Sequence, residues 1–203
     1  MSDQRIYLAS RSPRRRDLLK QIGVPFELML LREDLRRGVD IDEMPLPDES
    51  PGVYVLRIAR TKVEMAVRQI AYRALPQKPV LAADTTVVVD GVILAKPRDR
   101  ADGIAMLGRL SGRTHQVMTA VALATASGIA FRLSVSEVRM RAVTPEECTA
   151  YWETGEPRDK AGGYAIQGRG ALFIEHLSGS FSGVMGLPLY ETGQLLAEAG
   201  IRW

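Results

Sequence analysis

The chain has 203 residues, 46% hydrophobic and 25% charged, the balance of a globular protein long enough to bury a real core. A formal charge of +3 and 6% aromatic residues argue against nucleic acid as a partner, since stacking on single strands needs rings. The single cysteine, Cys148, excludes an intrachain disulfide. The first residues lack an apolar signal core, and no run nears the roughly 18 apolar residues of a membrane helix, so a cytoplasmic protein without a membrane partner is expected.

Residues 5–9 read as a buried strand. A helix follows over 13–22, with Leu18, Leu19 and Ile22 inward and Gly23 as its stop. Residues 26–31 form a second strand. The charged stretch 32–50, with Pro45 and Pro47, reads as a surface loop long enough to suspect function. Ser50 and Pro51 open a long helix on which Leu56, Ala59, Val63, Ala66 and Ile70 recur at helical spacing. Strand-like runs 80–83 and 85–89 flank Asp84. Asp90-Gly91 is a two-residue hairpin signal, with 92–95 as the return strand. Residues 99–110 read as a helix, and 116–125 with 129–140 as a second hairpin about Ser127-Gly128. Thr144-Pro145-Glu146-Glu147 starts a helix that runs to about 154. A polar loop covers 155–170, a strand 171–177, a Gly/Ser turn 179–183 and a last helix 187–199. Early helical crossovers and late hairpins predict an α/β fold, a mixed twisted sheet flanked by helices, as one domain over 1–203 with two lobes.

The segment Leu8-Ala9-Ser10-Arg11-Ser12-Pro13-Arg14-Arg15-Arg16 carries the first chemical signal. Ser12 suits an N-cap and Pro13 the first helical position. The arginines then crowd the end of the helix that prefers anions. Backbone N–H groups, two hydroxyls and guanidiniums there make a site for a multiply charged anion, a phosphate chain foremost.

Asp84 interrupts a β-branched and small-residue run, and a carboxylate is costly to bury there unless paired, protonated or metal-bound. On its residues alone it is either a satisfied core acid or a functional one. Lys62 and Lys96 taken singly are ordinary solvated lysines, yet with the arginines they would suit a triphosphate. The loop from Glu156 to Gly168 matches neither the P-loop nor the dinucleotide fingerprint. Within it, the Gln167 amide can accept from an N–H and donate to a carbonyl together, which complements uracil or thymine; the plainer alternative is a glutamine that braces the loop. His115 and His176 lack metal-ligand spacing, and Cys148 lacks a cationic activator, so all three read as structural.

Taken together, these segments resemble the Maf family of nucleoside triphosphate pyrophosphatases over nearly the whole chain. The resemblance rests on Leu8 through Arg15, Arg60-Thr61-Lys62, Ala83-Asp84-Thr85, Lys96-Pro97-Arg98-Asp99, Leu110 through His115, Asp159-Lys160-Ala161-Gly162 to Gln167-Gly168, and Gly186 through Thr192. It implies a fold similar to the inosine triphosphate pyrophosphatases, with two lobes about a cleft. It implies cleavage between the α- and β-phosphates with Mg²⁺ or Mn²⁺, and it suggests a homodimer.

By the same resemblance Asp84 is the catalytic carboxylate, as base, metal ligand or both. Arg14, Thr85 and Gln167 match the positions tied to substrate choice, in the dTTP/UTP combination. Ser10, Ser12, Arg15, Lys62, Lys96, Asp159 and Lys160 complete the substrate set. An acidic residue expected after the second strand aligns with Glu33 or Asp34, and Glu33 is taken as a second metal ligand. Arg11, Gly163, Ala165 and Gly183 depart from the family's commoner residues. The alternatives are a pyrophosphatase for another or modified nucleotide, such as 7-methyl-GTP, and a non-enzymatic division regulator that binds nucleic acid.

Overall fold

Two faces of one sheet are apolar, so both must be covered. The computed structural model describes residues 5–31 and 41–202. In chain order the elements are β1 (Ile6–Leu8), α1 (Pro13–Gln21), β2 (Phe26–Leu28), α2 (Pro51–Tyr72), β3 (Val80–Val89), β4 (Val92–Leu94) and α3 (Arg100–Leu110). Then come β5 (Thr114–Thr125), β6 (Gly128–Met140), α4 (Pro145–Glu153), β7 (Ile174–Ser178), α5 (Phe181–Met185) and α6 (Leu189–Glu198). Short 3₁₀ turns occupy Glu156–Asp159, Ala161–Gly163 and Arg169–Phe173.

The sheet runs β2-β1-β3-β5-β6-β7, with β4 hairpinned onto β3. β1 lies parallel to β2 and β3, while all other pairings are antiparallel. It is the mixed α/β sheet that the element order predicts.

Alternation along the strands assigns the layers. Val80 and Ala82 of β3 and Ala120, Ala122 and Ala124 of β5 face α2, whose Val55, Ile58, Ala59, Val63, Ala66 and Ile70 close that side. The alanine floor lets the helix lie close to the strands. On the opposite face, Leu81, Ala83, Val121 and Leu123 meet Leu18 and Leu19 of α1 and Leu195 and Leu196 of α6. Further along that face, Val87, Val89, Val117, Val138 and Met140 pack against Leu107 and Leu110 of α3 and Cys148 and Tyr151 of α4. Each large apolar side chain so buried stabilises the fold by roughly 1.5–3 kcal/mol. The cleft is lined from the first cluster by Ala9, Leu31 and Tyr54 and from the third by Val87, Val117 and Tyr164.

Local chemistry explains most boundaries. Asp90 and Gly91 both take left-handed angles, φ 53° and 75°, as the two-residue hairpin requires. Thr144 and Glu147 cap α4 reciprocally. Several expectations need correction. β3 is one strand through Asp84, not two runs. β1 and β2 stop at Leu8 and Leu28, earlier than the apolar runs do. Leu56 is only partly buried, with Tyr54 and Val55 taking the inner face instead. The expected strand 171–177 begins only at Ile174, because Arg169–Phe173 coils as a 3₁₀ turn. The expected turn 179–183 holds the short helix α5, capped by the Ser180 hydroxyl accepting from Gly183 N at 2.9 Å.

Candidate active site

The cleft begins where strand pairing fails on one side of β3. Ala9 N donates to Leu81 O at 2.8 Å, the last rung from β1. β4 joins β3 only at Val87, opposite Leu94. Between them, among the described residues, no strand runs beside 83–86 on that side, while β5 pairs continuously on the other. The notch opens into a cleft of about 640 Å³, within the range of small-molecule sites. Ser10, Ser12, Arg14, Arg15, Lys62, Asp84, Thr85, Lys96, Asp159, Lys160 and Gln167 all line it. Glu33 and Asp34 lie outside the described residues.

On the first wall, α1 aims its N-terminus at the cleft. Ser12 occupies the N-cap, yet its side chain makes no cap bond, and the first turn holds no acid. Its own N–H instead donates to Ser10 Oγ at 3.2 Å. Pro13 has no N–H, so the amides of Arg14 and Arg15 face the cleft end without an intrahelical acceptor. That is a helix start left open to an anion.

The arginines divide their work. Arg15 donates to Gly186 O at 2.6 Å, Ser10 Oγ at 3.3 Å and Thr85 Oγ1 at 3.2 Å. Burial lowers its pKa, with Asp84 pulling the other way. It is therefore a brace joining α1, β3 and the turn before α6, as well as a cleft cation. Thr85 Oγ1 also lies 3.0 Å from Thr119 Oγ1, itself 2.7 Å from Gly183 O. Arg14 reaches across the cleft to Asp159, 3.5 Å away. Arg11 donates twice to Leu31 O, at 3.1 and 2.8 Å, which ties the turn to the chain after β2. Arg16 does not line the cleft.

Deeper in, Lys62 of α2 lies between two carboxylates, its Nζ 2.7 Å from Asp84 Oδ1 and 2.7 Å from Glu43 Oε1. Asp84 is 7% exposed. Burial pulls the Lys62 ammonium down, but Asp84 and Glu43 outweigh it and hold its pKa above the ordinary lysine value. Burial likewise pushes the Glu43 carboxyl up, and Lys62 outweighs it, so that group stands below the ordinary glutamate range.

Glu43 is the site residue that sequence reasoning missed. Its segment is held by α2: Tyr54 Oη donates to Glu43 O at 3.0 Å, and Arg57 donates to Met44 O at 3.0 Å and to both oxygens of Glu49 at 2.6 and 2.7 Å. No spacing from β2 would have found it, because the sequence between has no period to count along. The tyrosine and arginine one turn apart at the start of α2 are the only trace it leaves.

The second wall is quieter in charge. Lys96 is exposed and makes no ion pair among the described residues. Lys160 is already engaged, donating to Glu156 O and Asp159 Oδ1 at 2.6 Å each. Gln167 is exposed, and its amide has no hydrogen-bond partner among the described residues. Behind this wall, Tyr164 Oη lies 2.8 Å from His115 Nε2. Burial drives His115 down to about 4, so both histidine and tyrosine are neutral supports.

Residues 5–199 match the family model described as Maf-like protein. The chain belongs to this family. Among curated relatives it is 57% identical to the "dTTP/UTP pyrophosphatase" of Nitrosomonas europaea, over 97% of this chain and 95% of that one. It is 52% identical to the protein of the same name from Dechloromonas aromatica, over 98% of each. A looser likeness, TM-score 0.45 at 17% identity over 67% of this chain and 71% of the other, links it to the Staphylococcus aureus Ham1 protein. For this Maf-like chain the placement of the motifs is now concrete: those from the N-terminus, α2, β3 and the 159–168 loop converge on one cleft.

Proposed function

We propose that this cleft hydrolyses dTTP and UTP to the nucleoside monophosphate and pyrophosphate. The observation that carries the reading is the Glu43–Lys62–Asp84 cluster at the floor of a cleft entered by an uncapped helix N-terminus. The names of relatives at 52–57% identity over nearly the full length support the same substrate pair. The continuous sheet supports the reading of the chain as one domain.

The open amides of α1, with Ser10, Ser12, Arg14 and Arg15, receive the phosphate chain. Lys62, Lys96 and Lys160 balance the remaining charge. Asp84 orients or deprotonates the attacking water. The new P–O bond forms to water oxygen as the bridging oxygen leaves with pyrophosphate. Thr85 and Gln167 face the nucleoside end.

Glu43 and Asp84 also fit a divalent cation. They are hard oxygen donors converging on one point, and Mg²⁺ usually takes few protein ligands and completes its shell with water and phosphate. Among the described residues no larger acid or histidine cluster exists. Glu43 and Asp84 would hold Mg²⁺ or Mn²⁺ in competition with the Lys62 ammonium. Such a cation neutralises phosphate charge and makes water a better nucleophile.

The test is a panel of dTTP, UTP, CTP, 7-methyl-GTP and inosine triphosphate, with Mg²⁺ or Mn²⁺, followed by release of monophosphate and pyrophosphate. The expected outcome is one-to-one release from dTTP and UTP ahead of the others. Tight oligonucleotide binding with every triphosphate left intact would refute the reading. Preference for 7-methyl-GTP would refute its substrate assignment.

A further inference from the structure

Because the Gln167 amide bonds to nothing among the described residues, its position is set by the backbone that carries it. A primary amide can turn over and present donor and acceptor in either order, so it serves uracil in one pose and cytosine in the other. Which pose meets the base is then set by where the turn holds the side chain against the base edge, to about half an ångström for a working site.

That turn is gripped by one carboxylate that the reaction does not use. Glu156 Oε1 accepts from Tyr151 Oη at 2.6 Å and from Gly170 N at 3.1 Å, and Oε2 accepts from Arg169 N at 2.9 Å. Tyr151 Oη accepts in turn from Ala165 N at 3.1 Å. Both ends of the 165–170 turn are thus tied to a single tyrosine–carboxylate pair. Tyr151 is buried on α4, edge-on to Phe173 with ring centroids 5.1 Å apart. A Cβ built on Gly168 would stand 2.3 Å from Glu156 Oε2. The carboxylate therefore runs directly against the residue after Gln167, and only glycine leaves it room.

We infer that Glu156, with Tyr151, is a positioning residue that sets nucleobase discrimination by fixing the Gln167 turn. The inference rests on the reading of the cleft as a triphosphate pyrophosphatase with Gln167 at the base.

Glu156→Gln keeps the shape but turns one acceptor oxygen into a donor facing N–H or O–H groups. The kcat/KM ratio of UTP to CTP is expected to fall about 3- to 10-fold, the scale of one hydrogen bond. The loss falls mainly on KM for UTP, because the Glu43–Lys62–Asp84 cluster is untouched. Tyr151→Phe, which keeps the ring and removes the hydroxyl, should shift the ratio the same way and serves if Glu156→Gln does not fold.

Gln167→Ala and the double variant Glu156→Gln/Gln167→Ala complete a cycle. If Glu156 acts through Gln167, the double variant shows the ratio of Gln167→Ala alone. Equal loss of kcat on every nucleotide with the ratio intact would overturn the inference, as would a double variant whose ratio is the product of the two singles. A ratio unmoved by Gln167→Ala would overturn the base contact and the inference with it. Pyrophosphate release by the parent chain tests the cleft separately, so the two failures are distinguishable.

Discussion

The two walls of the cleft are built from different materials. The wall of α1, β3 and α2 is made of charged side chains answering one another: Lys62 between Asp84 and Glu43, and Arg15 spread over Gly186, Ser10 and Thr85. The wall of 155–170 carries one charged pair, Lys160 with Asp159, and is otherwise backbone, coiled in 3₁₀ turns and held by one carboxylate and one tyrosine. The first can concentrate and balance charge, which is what a triphosphate demands. The second can place an uncharged amide, which is what a base demands.

Two substitutions test that division. The larger effect is expected from Lys62→Met. It leaves Asp84 and Glu43 facing each other without their shared cation, and breaking a buried pair on one side costs about 3–5 kcal/mol. Urea denaturation in the presence of a chelator should show that loss. An unchanged midpoint would mean that the cluster does not hold the first wall together.

A smaller effect is expected behind the second wall, at His115. In the folded chain its pKa is about 4 against an ordinary 6.5. Between those values the unfolded chain binds the proton and the folded chain does not. Stability therefore rises with pH through this window and is lost as pH falls from about 6.5 to about 4. His115→Gln should flatten that slope in melting temperatures taken across the window. Equal slopes for parent and variant would place the acid sensitivity elsewhere.

The same division governs what could be read from the sequence. Ser12-Pro13 before an apolar helical period, and an acid inside the β3 run, announce themselves by residue type, and the structure puts them together. Glu43 did not announce itself. Its link to Lys62 is made in space, through a loop held by Tyr54 and Arg57. Arg15 read as a ligand-facing cation, whereas its bond to Gly186 spans 171 residues and makes it a brace as well. Ala171, Leu172 and Phe173 read as strand because they are apolar. Glu156 takes the amides of Arg169 and Gly170 just before them, and the chain coils there before it can pair with β6. Such a competition between a side chain and a sheet edge leaves no period in the sequence.

The proposed chemistry turns on Asp84. Hydrolysis of UTP by folded Asp84→Asn, at saturating nucleotide and Mg²⁺ or Mn²⁺, should be slower than the parent by about 10²- to 10⁴-fold, the usual reach of a positioned general base. Pyrophosphate release at the parental rate would contradict it.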